Sequence, residues 1–501
     1  MADLKLLGAV SGVSPYVIRA QMALAVKGLA HDYLPEDLAR KSQLLLDSNP
    51  VHRSVPVLIH GGKPVCDSLV IVEYVDEAFP GAGAAALLPA DPYDRAVARF
   101  WAAFIDTKVF PPCLAILEAA ATKPSEEEEK AAKAKETVEA LRLVEGAFGE
   151  CSKGKPFFGG DAVGYLDIVL GCYLCWFKGA GDITGVAPLL DAARTPELAA
   201  WAARFRAAEA VGCLVPGVEK VEAYLNKVLK PKWAAAASST YTKQCPDEDA
   251  SISLLQGENC FCKPSSLQAE MAAGAGDELK LLGVWDSPYV NRVQIALNLK
   301  GLSYEYVEED LMNKSELLLS SNPVHRKVPV LIHNGKPIAE SQLIVQYLDE
   351  AFAGTGASVL PADPHERAVA RFWAAYVDDQ VGSPWYTILF AREKEEKVEA
   401  AARAVSALET LEGALRDLSE AKTSAALFFG GDGIGFVDVV LGSYLGWFRV
   451  IEKMIGVRIL DAARTPRLAA WAERFEAADA VRGVLPDDVD KVIDFLQTFL
   501  H

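Results

Sequence analysis

The run from Asn49 to His60 (NPVHRSVPVLIH) returns from Asn322 to His333 (NPVHRKVPVLIH) with one change, Ser54 to Lys327. Asp191 to Pro196 (DAARTP) returns unchanged as Asp461 to Pro466. The offset is 273 residues for the first pair and 270 for the second. A solenoid is excluded, because its repeats run about 20–50 residues. Each copy, at roughly 220–230 residues, is long enough to bury its own core. The chain therefore reads as two similar globular units in tandem, and their differences are informative.

The formal net charge of −18 argues against nucleic acid, which needs a basic surface. The same charge gives no attraction to anionic membranes. No run of about 18 uninterrupted apolar residues appears, so no spanning helix is expected. The start, Met1 to Lys5, lacks signal-peptide architecture, and a cytoplasmic location is the expectation. All nine cysteines lie between Cys66 and Cys262. A fold that the second copy builds without cysteine needs no disulfide, so free thiols in a reducing compartment are expected. Cys172 and Cys175 are spaced C-x-x-C, but Ser443 and Gly446 stand in their places in the second copy. No Cys/His cluster has metal-ligand spacing, and no metal is expected.

Each copy opens with mixed strand and helix signals. In the second, Leu279 to Gly283 reads as a strand. A helix from Ser287-Pro288-Tyr289 follows, with Val290, Val293 and Leu297 on one face and Gly301 as its stop. Strands follow at Tyr304 to Val307, Val328 to His333 and Lys336 to Glu340, with Asn334-Gly335 as a hairpin turn. A short helix is expected before the third strand, and a closing helix from Ser341 to Phe352. After Pro89 and Pro361 long helical segments take over, and strand signals disappear. The acidic run Glu126 to Glu129 is a solvated helix start. The expected division is an α/β domain at 1–80, a helical domain at 88–230, a flexible linker at 231–276, a second α/β domain at 277–353 and a second helical domain at 360–501. A disordered linker of that length spans about 35–40 Å, enough for the units to dock on each other. Met271-Ala272-Ala273-Gly274 looks like an independent protein start, as though two neighbouring genes had been joined.

Three features recur in each α/β domain. Ser14 and Ser287 precede Pro at a helix start, where unpaired N–H groups and partial positive charge favour an anion such as a thiolate. Alone, Ser-Pro before a helix is first of all an N-cap. Val55-Pro56 and Val328-Pro329 place a proline at the head of an apolar strand, where the missing N–H is tolerated. Asp67-Ser68 and Glu340-Ser341 fall where the fourth strand meets the last helix. That pair serves equally as a helix cap or as a clamp for an amino-acid head group.

Taken together, the series Ser287-Pro288-Tyr289, Lys300-Gly301-Leu302, Glu309 to Ser315, Asn322 to Pro337 and Glu340-Ser341 resembles the glutathione transferases, most of all the plant tau class. Phe429 to Asp438 adds to the likeness. Asp438, like Asp167, is read as a structural cap of a buried helix. The resemblance covers both copies. It implies α/β plus all-α architecture: two tandem glutathione-transferase-like units, each a thioredoxin-like N-terminal domain followed by a helical C-terminal domain. It further implies no permanently bound cofactor, reduced glutathione as co-substrate, and small hydrophobic electrophiles as acceptors. Detoxification and stress response are the implied setting, and organic hydroperoxide reduction a side activity. Ser287 would stabilise the thiolate. Lys314 and Lys327 would pair with the glycyl carboxylate, Val328 would bond the cysteinyl backbone, and Glu340 with Ser341 would hold the γ-glutamyl end. The first copy offers Ser14, Lys41, Val55, Asp67 and Ser68 for the same roles. Trp285, Tyr376 and Trp447 are candidates for the acceptor wall, each first of all a core residue. The family's dimeric habit implies an intrachain pseudo-dimer or a homodimer.

The first copy departs from the pattern. Its serine loop is two residues longer, which makes Ser11 a rival to Ser14. Ser54 replaces a lysine, and Asp67 is one methylene shorter than Glu340. A lost charge-assisted contact costs about 1.5–3 kcal/mol, so unit 2 is expected to be the better catalyst. Serine rather than cysteine at the helix start favours conjugation over mixed-disulfide chemistry. The alternatives are a non-catalytic carrier of apolar ligands and, last, an interaction module.

Overall fold

A computed structural model describes residues 3–83, 86–122, 127–233, 277–422 and 427–500. All but the first three residues of the expected linker, and the Met271 segment, lie outside the described residues. In unit 1 the chain runs β1 (Leu4–Ala9), α1 (Pro15–Val26), β2 (Asp32–Glu36), α2 (Gln43–Ser48), β3 (Val57–His60), β4 (Lys63–Cys66) and α3 (Ser68–Ala78). The helices α4 (Pro92–Phe104), α5 (Phe110–Thr122), α6 (Glu127–Ser152), α7 (Tyr165–Gly171), α8 (Leu174–Thr184), α9 (Pro196–Ala207) and α10 (Val218–Tyr224) follow. Unit 2 repeats the plan with β5 (Leu279–Gly283), α11 (Pro288–Lys300), β6 (Glu305–Glu308), α12 (Glu316–Ser321), β7 (Val330–His333), β8 (Lys336–Ala339) and α13 (Ser341–Ala351). Its helical part holds α14 (Pro364–Val377), α15 (Pro384–Phe390), α16 (Lys394–Lys422), α17 (Phe436–Gly442), α18 (Leu445–Ile455), α19 (Pro466–Ala477) and α20 (Val489–Leu500).

The sheet order is β2-β1-β3-β4 in unit 1 and β6-β5-β7-β8 in unit 2. The first two strands are parallel, as a β-α-β crossover requires, and the last three run antiparallel. In unit 2 the hairpin turns at Asn334 (φ 49°) and Gly335 (φ 77°), and α11 ends on left-handed Gly301 (φ 65°). Strand pairing in β3 and β7 starts one residue beyond the prolines rather than before them, since proline donates no ladder bond. Inside each helical domain a buried aspartate ties a loop to a helix. Asp438 accepts N–H bonds from Phe429, Gly430 and Gly435 and from the Trp471 indole, at 2.7–2.9 Å. Asp167 does the same for Phe158, Gly159, Gly164 and Trp201.

The helical run Pro92–Thr122 is long and apolar enough to cross a membrane, although charges interrupt it. Its residues Ala102, Ile105, Val109 and Cys113 are buried in the core of unit 1 instead. The six described cysteines are free thiols, and Cys172 and Cys175 are both buried.

The units pack with α3 of unit 1 on α14 of unit 2, and α13 of unit 2 on α4 of unit 1. Buried arginines join them. Arg99 holds Glu73 of its own unit and Glu350 of the other, both at 2.9 Å. Arg371 reaches across to Glu77 at 2.8 Å and Glu73 at 3.3 Å, while its Nε donates to Gln346 of its own unit.

Candidate active site

Ser14 and Ser287 are the N-cap residues of α1 and α11, with nearly the same extended backbone (φ −63°, ψ 115° and φ −71°, ψ 121°). Neither side chain bonds its own helix. Each hydroxyl is therefore not spent on its own helix, whose first residue is a proline without an N–H, and the helix end favours a negative group. The extra residues of unit 1 are absorbed upstream, where Val10 to Gly12 form a turn with Gly12 at φ 64°. Ser14, not Ser11, thus stands where Ser287 does. A tryptophan fixes each serine from behind. The Trp447 indole donates to the carbonyl of Asp286 at 2.7 Å, and Trp176 to that of Val13 at 3.0 Å. Burial, with Glu308 nearby, pushes the Asp286 carboxyl up to about 6.

The loop before β7 is shaped by Asn322. Its amide donates to the Lys327 carbonyl at 2.9 Å and accepts from the His325 N–H at 3.1 Å. Asn49 does the same for Ser54 and His52. The Val55–Pro56 and Val328–Pro329 peptides are both cis. Lys41 and Lys314 are exposed just ahead of Ser42 and Ser315. Those serines cap α2 and α12 and donate to buried Glu36 and Glu309 at 2.6 Å, which holds each lysine's loop in place. Lys327 is exposed, and so is its counterpart Ser54.

The corner after the fourth strand separates the units. Asp67 and Glu340 share a left-handed backbone, φ 74° and 73°. Asp67 folds its carboxylate onto its own helix, accepting from Leu69 and Val70 N–H at 2.9 and 3.2 Å. Glu340 makes no such cap and instead lies 3.9 Å from His325 Nε2. Burial raises both carboxyl pKa values, and Lys327 works against the rise at Glu340.

Behind this corner lies a network that sequence reasoning missed. Arg292 is fully buried and takes Asp378 with two nitrogens, at 2.9 and 2.5 Å. It also donates to Ser341 Oγ at 3.2 Å and Ser443 Oγ at 3.0 Å. Burial opposes its charge most strongly, but Asp378 together with Tyr444 and Tyr289 outweighs it and the pKa rises. In unit 1 Arg19 holds Asp106 and Ser68 alike, yet among the described residues its Nε finds no nitrogen or oxygen partner, because Cys172, which offers only a weak sulfur acceptor, stands where Ser443 is. Asp106 and Asp378 each lie in a π-helical turn, Ile105–Val109 and Asp378–Gly382; such turns often mark functional sites. The missed signal was an arginine on an otherwise apolar helix face, repeated in both copies.

The acceptor candidates separate. Trp285 is half-buried beside the serine, with Phe495 at 6.0 Å and Lys491 over its ring at 4.4 Å. Trp447 is buried and positions the serine loop, as above. Tyr376 does not join them. Its ring packs on His52 of unit 1 at 6.1 Å and borders a crevice between the units, because α14 turns that face toward unit 1.

Known proteins resemble the chain in the same places. The family profile "Glutathione S-transferase, N-terminal domain" matches residues 10–83 and 281–356, and "Glutathione S-transferase, C-terminal domain" matches 367–474. Probable glutathione S-transferase GSTU6 of Oryza sativa subsp. japonica is 63% identical over 233 residues, which is 46% of this chain and 97% of that protein. A tau class glutathione S-transferase structure from mango is 48% identical and covers 45% of this chain and 99% of its own, with a TM-score of 0.41. The structure of rice OsGSTU1 in complex with glutathione is 42% identical and covers 45% of this chain and 98% of its own, with a TM-score of 0.40. Each relative spans one unit's worth of this polypeptide. The chain therefore belongs to the glutathione S-transferase family, as two tau-class units in tandem, each a thioredoxin-like domain followed by a helical one.

Proposed function

We propose that this transferase conjugates reduced glutathione to apolar electrophiles, and that unit 2 does most of the work. The observation that carries the reading is that Ser287 and Glu340 both sit at helix N-termini without spending their side chains on capping. In this reading Ser287 donates a hydrogen bond to the glutathione sulfur and favours the thiolate. Lys314 and Lys327 take the glycyl carboxylate, the Val328 backbone pairs with the cysteinyl residue, and Glu340 with Ser341 takes the γ-glutamyl end. The sulfur lone pair forms the new bond to the electrophilic carbon. The leaving group departs with its electron pair, and the thiol proton goes to water. Trp285 and Phe495 border the acceptor. With an organic hydroperoxide, two glutathiones supply the electrons, giving glutathione disulfide, the alcohol and water. Unit 1 offers Ser14, Lys41, Val55, Asp67 and Ser68, but its Asp67 is occupied by its own helix and Ser54 brings no charge.

The same reading takes the chain as a cytoplasmic detoxification enzyme and as an intrachain pseudo-dimer. The ionic contacts between the units support the pairing, and a solution mass near 54.0 kDa is expected. The direct test is conjugation of glutathione to a chloronitrobenzene by the full-length chain. Ser287→Ala should cost roughly tenfold or more, as expected for losing a hydrogen bond to a charged sulfur, while Ser14→Ala barely changes the rate. Tight binding of apolar dyes without any turnover would favour a carrier instead.

A further inference from the structure

Asp286, the residue before Ser287, is buried, and among the described residues no other residue donates a hydrogen bond to its carboxyl. The loop that carries it is pinned. The Trp447 indole donates to the Asp286 carbonyl at 2.7 Å, the Trp285 N–H donates to Glu308 at 3.3 Å, and the Ser287 N–H donates to the Val284 carbonyl at 3.1 Å. The carboxyl is thus held beside the serine with nothing to neutralise it. A second acid stands close by. Glu308 pairs with Gly283 at the end of β6 and accepts from the Tyr306 hydroxyl at 2.8 Å.

Unit 1 has neither acid. Val13 stands before Ser14 and is fully buried in the apolar core. Pro35 pairs with Gly8 where Glu308 pairs with Gly283. Tyr33, which matches Tyr306, turns its hydroxyl to the Ala9 carbonyl instead. Unit 1 still sets Ser14 on the same backbone as Ser287, so the acids are not needed for the frame of the loop. They are present together in one unit and absent together from the other.

We propose that Asp286 is the proton store of unit 2: as the glutathione thiol ionises beside Ser287 the carboxyl takes up a proton, and it gives the proton back once the sulfur has bonded to carbon. This rests on the reading of unit 2 as the working glutathione site and deepens it. The S–H bond breaks with its electron pair left on sulfur. That proton passes to water, and water delivers one to the Asp286 carboxylate, so the total charge of the site does not change. When the sulfur gives the pair to the electrophile its charge is gone, and Asp286 ionises again. Burial above all, with Glu308 adding to it against the pull of its own N–H, pushes the carboxyl up to about 6. A proton acceptor works best when it titrates near the working pH. Neighbouring Cα atoms lie about 3.8 Å apart, which keeps the carboxyl within about 10 Å of the Ser287 hydroxyl. Across such a distance, at an effective dielectric of about 20, a thiolate raises the carboxyl's proton affinity about tenfold. At pH 7 Asp286 then goes from about one-tenth to about one-half protonated. The charged and titratable groups around it are Glu308 and Tyr306 on β6 and Lys491 on α20, whose Nζ lies over the neighbouring Trp285 ring at 4.4 Å. Asp286 acts through its charge and is a positioning residue.

The test uses the full-length chain in a Ser11→Ala/Ser14→Ala background, so that thiolate formation reports unit 2. Calorimetric titration with glutathione at pH 7, in buffers of different ionisation enthalpy, counts the protons released. The same titration with S-methylglutathione, which has no thiol proton, is subtracted. Ultraviolet absorbance of the thiolate counts the thiol that has ionised. The expected result is a release that falls short of the thiolate formed by roughly 0.4 proton. In Asp286→Asn the shortfall should vanish. The pH at which the bound thiol is half ionised should also fall by about half to one unit, because the thiolate no longer faces a carboxylate. A residue that only shaped the loop would leave the proton count matched to the thiolate in both chains. If the parent releases one proton for each thiolate formed, or if Asp286→Asn keeps the parent's shortfall, the inference is overturned and the proposed function stands. If the parent binds no glutathione, or binds it without forming thiolate, the proposed function falls and takes this inference with it.

Discussion

Asp67 and Glu340 occupy the same corner on the same backbone, and one methylene decides what each can do. The shorter carboxylate reaches its own helix and caps it; the longer one makes no cap bond and lies 3.9 Å from His325 Nε2 instead. The same contrast recurs nearby. Arg292 finds Ser443, whereas Arg19 leaves its Nε unpaired beside Cys172. Lys327 faces Ser54. Backbone geometry is thus retained at both sites, down to the cis peptides and the left-handed corner, while the side chains of unit 1 turn inward or lose charge. A duplicated fold keeps its frame because the frame is needed for stability, whereas a second ligand site is free to drift.

The buried arginines test how deep that likeness goes. Arg292→Met leaves Asp378 without its cation and Ser341 without a partner. Removing one member of a fully buried pair costs about 3–5 kcal/mol; with Asp378 partly exposed, the lower end of that range is expected. Arg19→Met should cost less, by about 1 kcal/mol, because Arg19 makes one hydrogen bond fewer. Denaturant unfolding of the two full-length variants checks this, and equal costs would show that the unpaired Nε is immaterial. Conjugation should fall with Arg292→Met alone.

The corner itself can be exchanged. Glu340→Asp should let the carboxylate cap α13 and raise the KM for glutathione roughly tenfold, the loss of one charge-assisted contact. The reverse exchange, Asp67→Glu with Ser54→Lys, should give unit 1 measurable turnover in a Ser287→Ala chain. Steady-state kinetics on both variants decides the point. If Glu340→Asp leaves KM unchanged, the corner is not what separates the units.

How much of this was legible beforehand depends on the range of the interaction. The β-α-β order, the short helix, the hairpin at Asn334-Gly335 and the stop at Gly301 follow from periodicity and turn chemistry, which are local. The corner residues and the serines were singled out because they lie within short repeated motifs, and they stand at helix starts as expected. Arg292 with Asp378 was not, since the two are 86 positions apart and join only when the domains pack. The surroundings of Tyr376 were hidden for the same reason. Besides Trp373 of its own helix it meets His52 of the other unit, and nothing in its own helix says which way that face looks.

Asn291 makes the smallest and sharpest contrast. It lies one turn into α11 after Ser287, is fully buried, and neither its amide nitrogen nor its oxygen has a hydrogen-bond partner among the described residues. Unit 1 has Ile18 at this place, also buried and in its core. Leaving a buried amide unsatisfied costs about 1–3 kcal/mol, so Asn291→Ile should stabilise unit 2 by about 1–2 kcal/mol. Thermal unfolding measures that gain, and conjugation measures its consequence. A more stable chain with full activity would mean that Asn291 is merely tolerated. A more stable chain with lost activity would mean that unit 2 keeps a destabilising amide next to its serine helix because turnover needs it, the usual exchange of stability for function. Unit 1, with isoleucine there, would then have given up that requirement along with its glutamate and its lysine.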